Sequence, residues 1–80
     1  MSTNMTYFIA VYKTTKRLSM GSLVTSKSSP NLSTFAEAVE ASHKFITTFA
    51  SYDLAKTEFY INQIDVEDDL EVVKKTYYFK

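Results

Sequence analysis

One segment of this sequence, residues 33–50, has the periodicity of an amphipathic helix, and it lies between two pairs of segments that are typical of β-strands. Thr34 and Glu37 have the spacing of a capping box, which satisfies orphan amides in the first helical turn. The side chains predicted to form its apolar stripe are Phe35, Ala38, Val39, Ser42, Phe45, Ile46 and Phe49. The segment therefore predicts one helix of about 17 residues, close to 25 Å long.

Four segments rich in β-branched and aromatic residues flank this helix. The first two, MTYFIAVYKTT and LSMGSLVTSK, are predicted to be joined by TTKR, with Gly21 inside the second strand as a structural glycine. The last two, TEFYINQIDV and LEVVKKTYYFK, are joined by EDD at a hairpin tip. The order is ββαββ, and one amphipathic helix on one face of a four-stranded antiparallel sheet is its natural packing. We predict a single α+β domain over residues 1–80.

The charges of the chain are unevenly distributed, although their sum is zero. Residues 1–36 carry four basic side chains and no acidic one, whereas the remainder carries nine acids against five lysines. If the helix runs the length of the sheet, the two hairpin tips lie at opposite ends. Full antiparallel pairing then requires the strand order 2-1-3-4 or 1-2-4-3, and parallel central pairing is the alternative. A basic tip around Lys16 and Arg17 would point away from an acidic tip around Asp68.

The composition excludes most catalytic apparatus. Without cysteine there are no disulfides, no thiolate nucleophiles and almost no way to build a structural zinc site. A single glycine cannot form either of the glycine-rich phosphate-binding turns. The only histidine, His43, lies at the border of the apolar stripe near Glu40 and Thr47, which makes a helical surface pair and not a triad. We predict no enzymatic activity, no metal and no cofactor, and an enzyme built as a dimer has the least support.

A run of five acids, residues 65–71, surrounds the predicted second hairpin tip. It lacks the alternating ligands and the central glycine of a calcium-binding loop. The favoured interpretation is a solvated turn, the second is a contact for a basic partner, and a metal site has the least support. In the second interpretation the contact residues are Glu67, Asp68 and Asp69.

The first, third and fourth predicted strands are apolar on both faces, but one helix can cover only one face. An uncovered apolar surface usually marks an interface, and tyrosine suits such a surface because its large ring ends in a polar group. The pattern does not decide which set of alternating side chains faces the helix. One choice places Tyr78 beneath the helix with Leu70 and Val72, and puts Val73, Tyr77 and Phe79 on the other face. The candidate interface residues on this choice are Tyr60, Tyr77 and Phe79.

These observations predict a small protein that works by binding another protein or a second copy of itself, as a homodimer. In size and composition alone it is comparable to inhibitors and adaptors encoded by phages and mobile elements, including the anti-CRISPR class, and no motif supports a closer comparison. The alternative is a nucleic-acid-binding module that uses the aromatic face with Lys74, Lys75 and Lys80. The zero net charge argues against general binding to nucleic acids or anionic membranes.

The same features favour the cytoplasm. A small domain without disulfides fits a reducing compartment. The apolar run from Tyr7 to Tyr12 is shorter than the core of a signal peptide and follows no basic stretch.

Overall fold

The computed structural model describes residues 5–49 and 54–79. Within these ranges the elements are β1 (Met5–Leu18), β2 (Gly21–Ser28), α1 (Phe35–Thr47), β3 (Thr57–Glu67) and β4 (Leu70–Phe79). The four strands form one antiparallel sheet in the order β2-β1-β3-β4, and α1 packs against β1 and β3. The α+β class with one helix on a sheet is confirmed. The observed strand order is one of the two that full antiparallel pairing allowed.

The first hairpin turns later in the chain than predicted. The TTKR segment, residues 14–17, belongs to β1, so its assignment as the connection is wrong. Leu18 pairs with Gly21 around a loop of Ser19 and Met20. Gly21 has a φ of +142°, which residues with a side chain rarely adopt. The glycine follows the loop as the first residue of β2 and does not lie in the interior of the strand. The threonines of TTKR favour an extended backbone, and their ladder with β2 carries the hairpin beyond the helix.

Helix α1 begins as predicted but ends earlier. The hydroxyl of Thr34 accepts a hydrogen bond from the amide of Glu37 at 3.2 Å and donates one to its carboxylate at 3.1 Å. The helix has 13 residues, because Thr47 and Thr48 end it. Their hydroxyls donate to the carbonyls three residues earlier at 2.9 and 2.7 Å, and consecutive β-branched residues are poor helix formers. Within the described ranges, no helix combines the length and the apolar character needed to cross a membrane.

The core lies between α1 and the middle of the sheet. At its centre are small or aliphatic residues, Ala10, Ala38, Ser42 and Ile61, all without exposed surface. Small side chains let the helix approach the sheet closely. Aromatic rings pack at both ends of α1 with centroid distances between 4.8 and 6.4 Å. These rings belong to Phe8, Phe35 and Tyr77 at one end and to Tyr12, Phe45, Phe49 and Phe59 at the other.

The connection between β2 and α1 completes the hydrogen bonding of β1. Leu32 and Phe8 exchange two backbone hydrogen bonds of 2.8 Å. The amide of Ser29 donates to the carbonyl of Ala10 at 2.8 Å, and the amide of Ala10 donates to the Ser29 hydroxyl at 2.9 Å. Because buried backbone groups need partners, these bonds hold the connection beside β1 and set the start of the helix over the sheet.

Candidate interaction surface

The sheet has two faces, and α1 packs on only one of them, here called the helix face. Residues paired directly across neighbouring antiparallel strands point to the same side, so the register assigns every strand position to a face. We call the opposite side the open face. Its central residues are Met5, Tyr7, Ile9 and Val11 on β1, Tyr60, Asn62, Ile64 and Val66 on β3, and Val73, Thr76 and Tyr78 on β4.

A β-bulge in β4 decides which side chains share a face. Gln63 pairs with Lys75, whereas the next residue, Ile64, pairs with Val73, so Lys74 is an extra residue on β4. An extra residue reverses the alternation of side chains beyond it. Val73 therefore shares the open face with Tyr78. The predicted grouping, which placed Val73 with Tyr77 and Phe79 and placed Leu70 and Val72 with Tyr78, is wrong for that reason.

The choice that placed Tyr78 beneath the helix is also wrong. Tyr78 is 69% exposed, and its ring meets that of Tyr60 on the open face with a centroid distance of 5.5 Å. Tyr77 and Phe79 instead pack against the core under α1. The structure thus does not bring Tyr60 together with Tyr77 and Phe79 on one surface. The aromatic pair that it does form on the open face, Tyr60 with Tyr78, follows from their direct pairing across β3 and β4.

The middle of the open face is well packed even without a helix over it. Tyr7 is only 7% exposed, and its pairing partner Ile64 is also buried. Desolvation by burial, together with the neighbouring Glu71 carboxylate, raises the pKa of the Tyr7 hydroxyl above its ordinary value. Asn62 and Thr76, the polar residues of this region, bond to each other at 2.8 Å between Oδ1 and Oγ1. The surface is therefore largely apolar, with much of its polar content already engaged.

Tyr77 is engaged on the helix face by three neighbours. Its ring lies 4.8 Å from that of Phe35, and its hydroxyl donates to Oε1 of Gln63 at 3.3 Å. The Lys75 ammonium lies over the same ring, 5.0 Å from its centroid. These contacts leave little of the Tyr77 ring available to a ligand.

The three predicted acidic contact residues lie at the tip of the second hairpin and are exposed. Asp68 and Asp69 have φ values of 51° and 67°, and they form the loop between Glu67 and Leu70, which pair with each other. Two consecutive positive φ angles are typical of a type I′ turn, in which aspartate is among the better-tolerated residues. The predicted EDD tip is thus placed correctly, and turn geometry alone explains two of its three acids.

The two hairpins lie at opposite ends of the sheet, which is 53 Å in its longest dimension. The end of the β1–β2 hairpin carries Lys13, Lys16, Arg17 and Lys27, and residues 5–28 contain no acid. We call it the basic hairpin. The end of the β3–β4 hairpin carries Asp65, Glu67, Asp68, Asp69 and Glu71, and residues 65–71 contain no base. We call it the acidic hairpin. Because Met5 pairs with Val66 while Thr14 pairs with Thr57, the open face extends between these two ends.

The described residues contain no group of three or more His, Cys, Asp or Glu side chains that could hold a metal ion. His43 is exposed on α1. Ser42, its neighbour, is fully buried, and its hydroxyl has no hydrogen-bond partner. A hydroxyl without solvent access cannot meet a substrate, so Ser42 is a packing residue and not a nucleophile.

Comparisons of the chain with models of protein families, with curated proteins and with solved structures gave no match. The open face and the two charged hairpins are therefore the features from which a function can be inferred.

Proposed function

We propose that this chain acts by binding another protein through the open face and carries out no chemistry itself. The observation that supports this proposal is a largely apolar sheet face on the side away from α1, with Val73 and Tyr78 more than half exposed on it. In an antiparallel sheet with one solvated face, polar residues normally alternate outward. Here aliphatic and tyrosine side chains occupy those positions instead. Apolar side chains exposed at such positions are typical of interfaces.

The chemistry of the open face suits a protein surface. Fully burying a valine or a similar apolar side chain contributes about 1.5–3 kcal/mol, and Val73 retains half of its surface for a partner to bury. The Tyr60 and Tyr78 rings, which lie against each other, add a large contact area with few rotatable bonds. Each ring ends in a hydroxyl, which can stay in contact with water when the ring itself is buried. Small inhibitors and adaptors that act without catalysis use surfaces of this type.

The nucleic-acid alternative has less support. It requires exposed rings beside lysines, so that bases stack while the cations meet phosphates. Tyr77 is engaged by Phe35 and Lys75, and Phe79 packs against the core. Lys80, the third lysine of this hypothesis, lies outside the described residues.

The test compares two adjacent valines. Val72 and Val73 are 50% and 55% exposed, but Val72 lies on the side of the helix face and Val73 on the open face. Tagged wild-type protein, Val72→Lys and Val73→Lys are used to capture partners from extracts of the native host. We expect wild type and Val72→Lys to retain the same protein and Val73→Lys to lose it. Circular dichroism of each variant checks the fold.

A partner retained by Val73→Lys, or lost equally by both variants, would contradict the proposal. Gel-shift measurements with single- and double-stranded nucleic acid at moderate salt test the alternative. Binding by wild type that the lysine variant leaves intact would favour that alternative.

A further inference from the structure

We infer that the occupant of the open face is a second copy of this chain, packed face to face with its strands reversed, so that each basic hairpin lies beside the acidic hairpin of the other copy. This inference rests on the proposed function, because it requires the open face to be a binding surface. It adds the identity of the partner and its orientation.

The separation of charge along the sheet is the first support. The basic hairpin carries four cations, and the adjoining start of β3 adds Lys56 and Glu58, whose charges cancel. The acidic hairpin carries five carboxylates at the other end of the 53 Å axis, with Lys74 and Lys75 following it on β4. Intramolecular pairing between the two hairpins is ruled out by this distance. A partner that matches both ends must therefore carry the same two charges in reverse, and a reversed copy does.

When two sheets pack with their strands aligned, a two-fold axis in the plane between them runs either along the strands or across them. Most homo-oligomers pair one patch with itself about a two-fold axis. An axis along the strands brings like hairpins together, and like charges repel. An axis across the strands, in the plane between the sheets, reverses the copy and brings unlike hairpins together. Electrostatic complementarity across an interface suppresses the first arrangement and selects the second.

The positions along the sheet agree with the second arrangement. Ile9 lies at the middle of the open face. The turn at Asp68 lies about six residues from the level of Ile9, roughly 20 Å along the strands, and Lys16 lies about as far on the other side. Measured along the strands, Glu71 lies four residues from Ile9 toward the acidic hairpin, and Lys13 lies four residues from Ile9 toward the basic hairpin. An axis across the strands near Ile9 therefore places acidic levels over basic ones at both distances.

The size of the face is close to that of a standard interface. The strands contain 14, 8, 11 and 10 residues, and at about 3.3 Å per residue and about 4.8 Å between strands they cover roughly 700 Å². A standard interface takes about 800 Å² from each side. Two sheets that pack face to face bring their apolar side chains together in a layer about 10 Å thick, as in a β-sandwich. The open face then has the same environment that α1 provides on the other side.

Sedimentation equilibrium up to about 500 µM protein tests the inference, because complexes with interfaces of this size have dissociation constants from about micromolar down to picomolar. Wild type and Val72→Lys are expected to dimerise, and Val73→Lys is expected to remain monomeric. The orientation is tested by charge reversal. Lys13→Glu with Arg17→Glu, two cations on the open face, should weaken the dimer by about tenfold or more at low salt, as should Glu71→Lys, and about 1 M salt should remove both differences. Lys13→Glu combined with Glu71→Lys exchanges two opposite charges at matched levels of the open face and should restore pairing.

Three results would overturn the inference. A wild-type monomer at the highest concentration excludes the second copy. A dimer that Val73→Lys leaves intact uses another surface. A dimer that Lys13→Glu with Arg17→Glu tightens has like hairpins together, because this change relieves repulsion between them.

The proposed function fails separately. If wild type is monomeric but still captures a host protein in a Val73-dependent manner, the open face binds a different partner and only the inference is wrong. If there is neither a dimer nor a Val73-dependent partner, both are wrong.

Discussion

The two faces of the sheet are built from similar residue types, but only one of them is covered by a helix. On the helix face, Ala10 and Ile61 are fully buried beneath α1, and aromatic rings close the core at both ends. On the open face, Tyr78 and Val73 remain more than half exposed. Tyr7 and Ile64 are nevertheless buried on the open face. Apolar side chains thus contribute to the folding free energy on both faces, most fully beneath α1, and the exposed ones on the open face remain available for binding.

The largest difference between the faces is expected at two adjacent residues of β3. Ile61→Ala should lower the free energy of unfolding by about 3 kcal/mol, because it opens a cavity in a fully buried site. That is a large part of the roughly 5 kcal/mol expected for a domain of this size. Tyr60→Ala on the open face should cost clearly less, since its ring is only partly buried. Urea denaturation measures both, and equal losses would show that the two faces contribute alike to folding.

The neighbouring tyrosines of β4 extend the comparison. Tyr77→Ala removes a ring that contacts Phe35 and the Lys75 ammonium, and should cost about 2 kcal/mol. Tyr78→Ala should cost less than about 1 kcal/mol, because most of that side chain is in water. In a binding assay the ranking should reverse, with Tyr78→Ala giving the larger loss. If Tyr78→Ala unfolds the protein more readily than Tyr77→Ala, the assignment of the faces is incorrect.

A smaller effect of opposite sign is expected at the centre of the helix face. The Ser42 hydroxyl is buried without a hydrogen-bond partner, and such a group costs about 1–3 kcal/mol. Ser42→Ala removes it and also favours the helix, so the midpoint of thermal unfolding should rise. Ser26→Ala on the exposed strand β2 is the matched control and should change stability by less than about 0.5 kcal/mol. A destabilised Ser42→Ala variant would mean that the hydroxyl is satisfied in solution.

The smallest effect on stability is expected at the acidic turn. Asn tolerates positive φ as Asp does, so Asp68→Asn with Asp69→Asn keeps the backbone while removing two charges. The free energy of unfolding should stay within about 0.5 kcal/mol, with Glu67→Gln as the control. The same pair should slow association at the open face and reduce its salt dependence, because it lowers the charge of the acidic hairpin. Unchanged association kinetics would leave the acids with no role beyond the turn.

Several features could be predicted because they depend on residues close together in the chain. The start of the helix after Thr34 follows from two capping residues that are three positions apart, and the acidic hairpin tip follows from consecutive turn residues. The extension of β1 through TTKR has an equally physical reason. The polar side chains of this segment are typical of a loop, but its two threonines favour an extended backbone, and pairing with β2 extends β1 to Leu18.

The candidate interface could be predicted only in part. The existence of an uncovered apolar face could be predicted, because the strands are apolar on both faces and one helix covers only one of them. The residues on that face did not follow, because the extra residue Lys74 reverses the alternation along β4. Strict alternation of side chains along β4 predicts Val73 and Tyr78 on opposite faces, but the bulge places them on the same face. No local signal in VVKKTYY marks the bulge, which exists only because β4 pairs with β3.

The sequence by itself therefore determined the α+β class, the helix and its cap, the charge separation between the two hairpins, and the presence of more apolar sheet surface than one helix covers. These properties depend on composition and on spacing within single elements. The tertiary structure decided where β1 ends, which side of the sheet α1 covers, and that Tyr60, Val73 and Tyr78 share the open face. Strand register is set by contacts between residues distant in sequence, and one extra residue in a strand is enough to exchange its two faces.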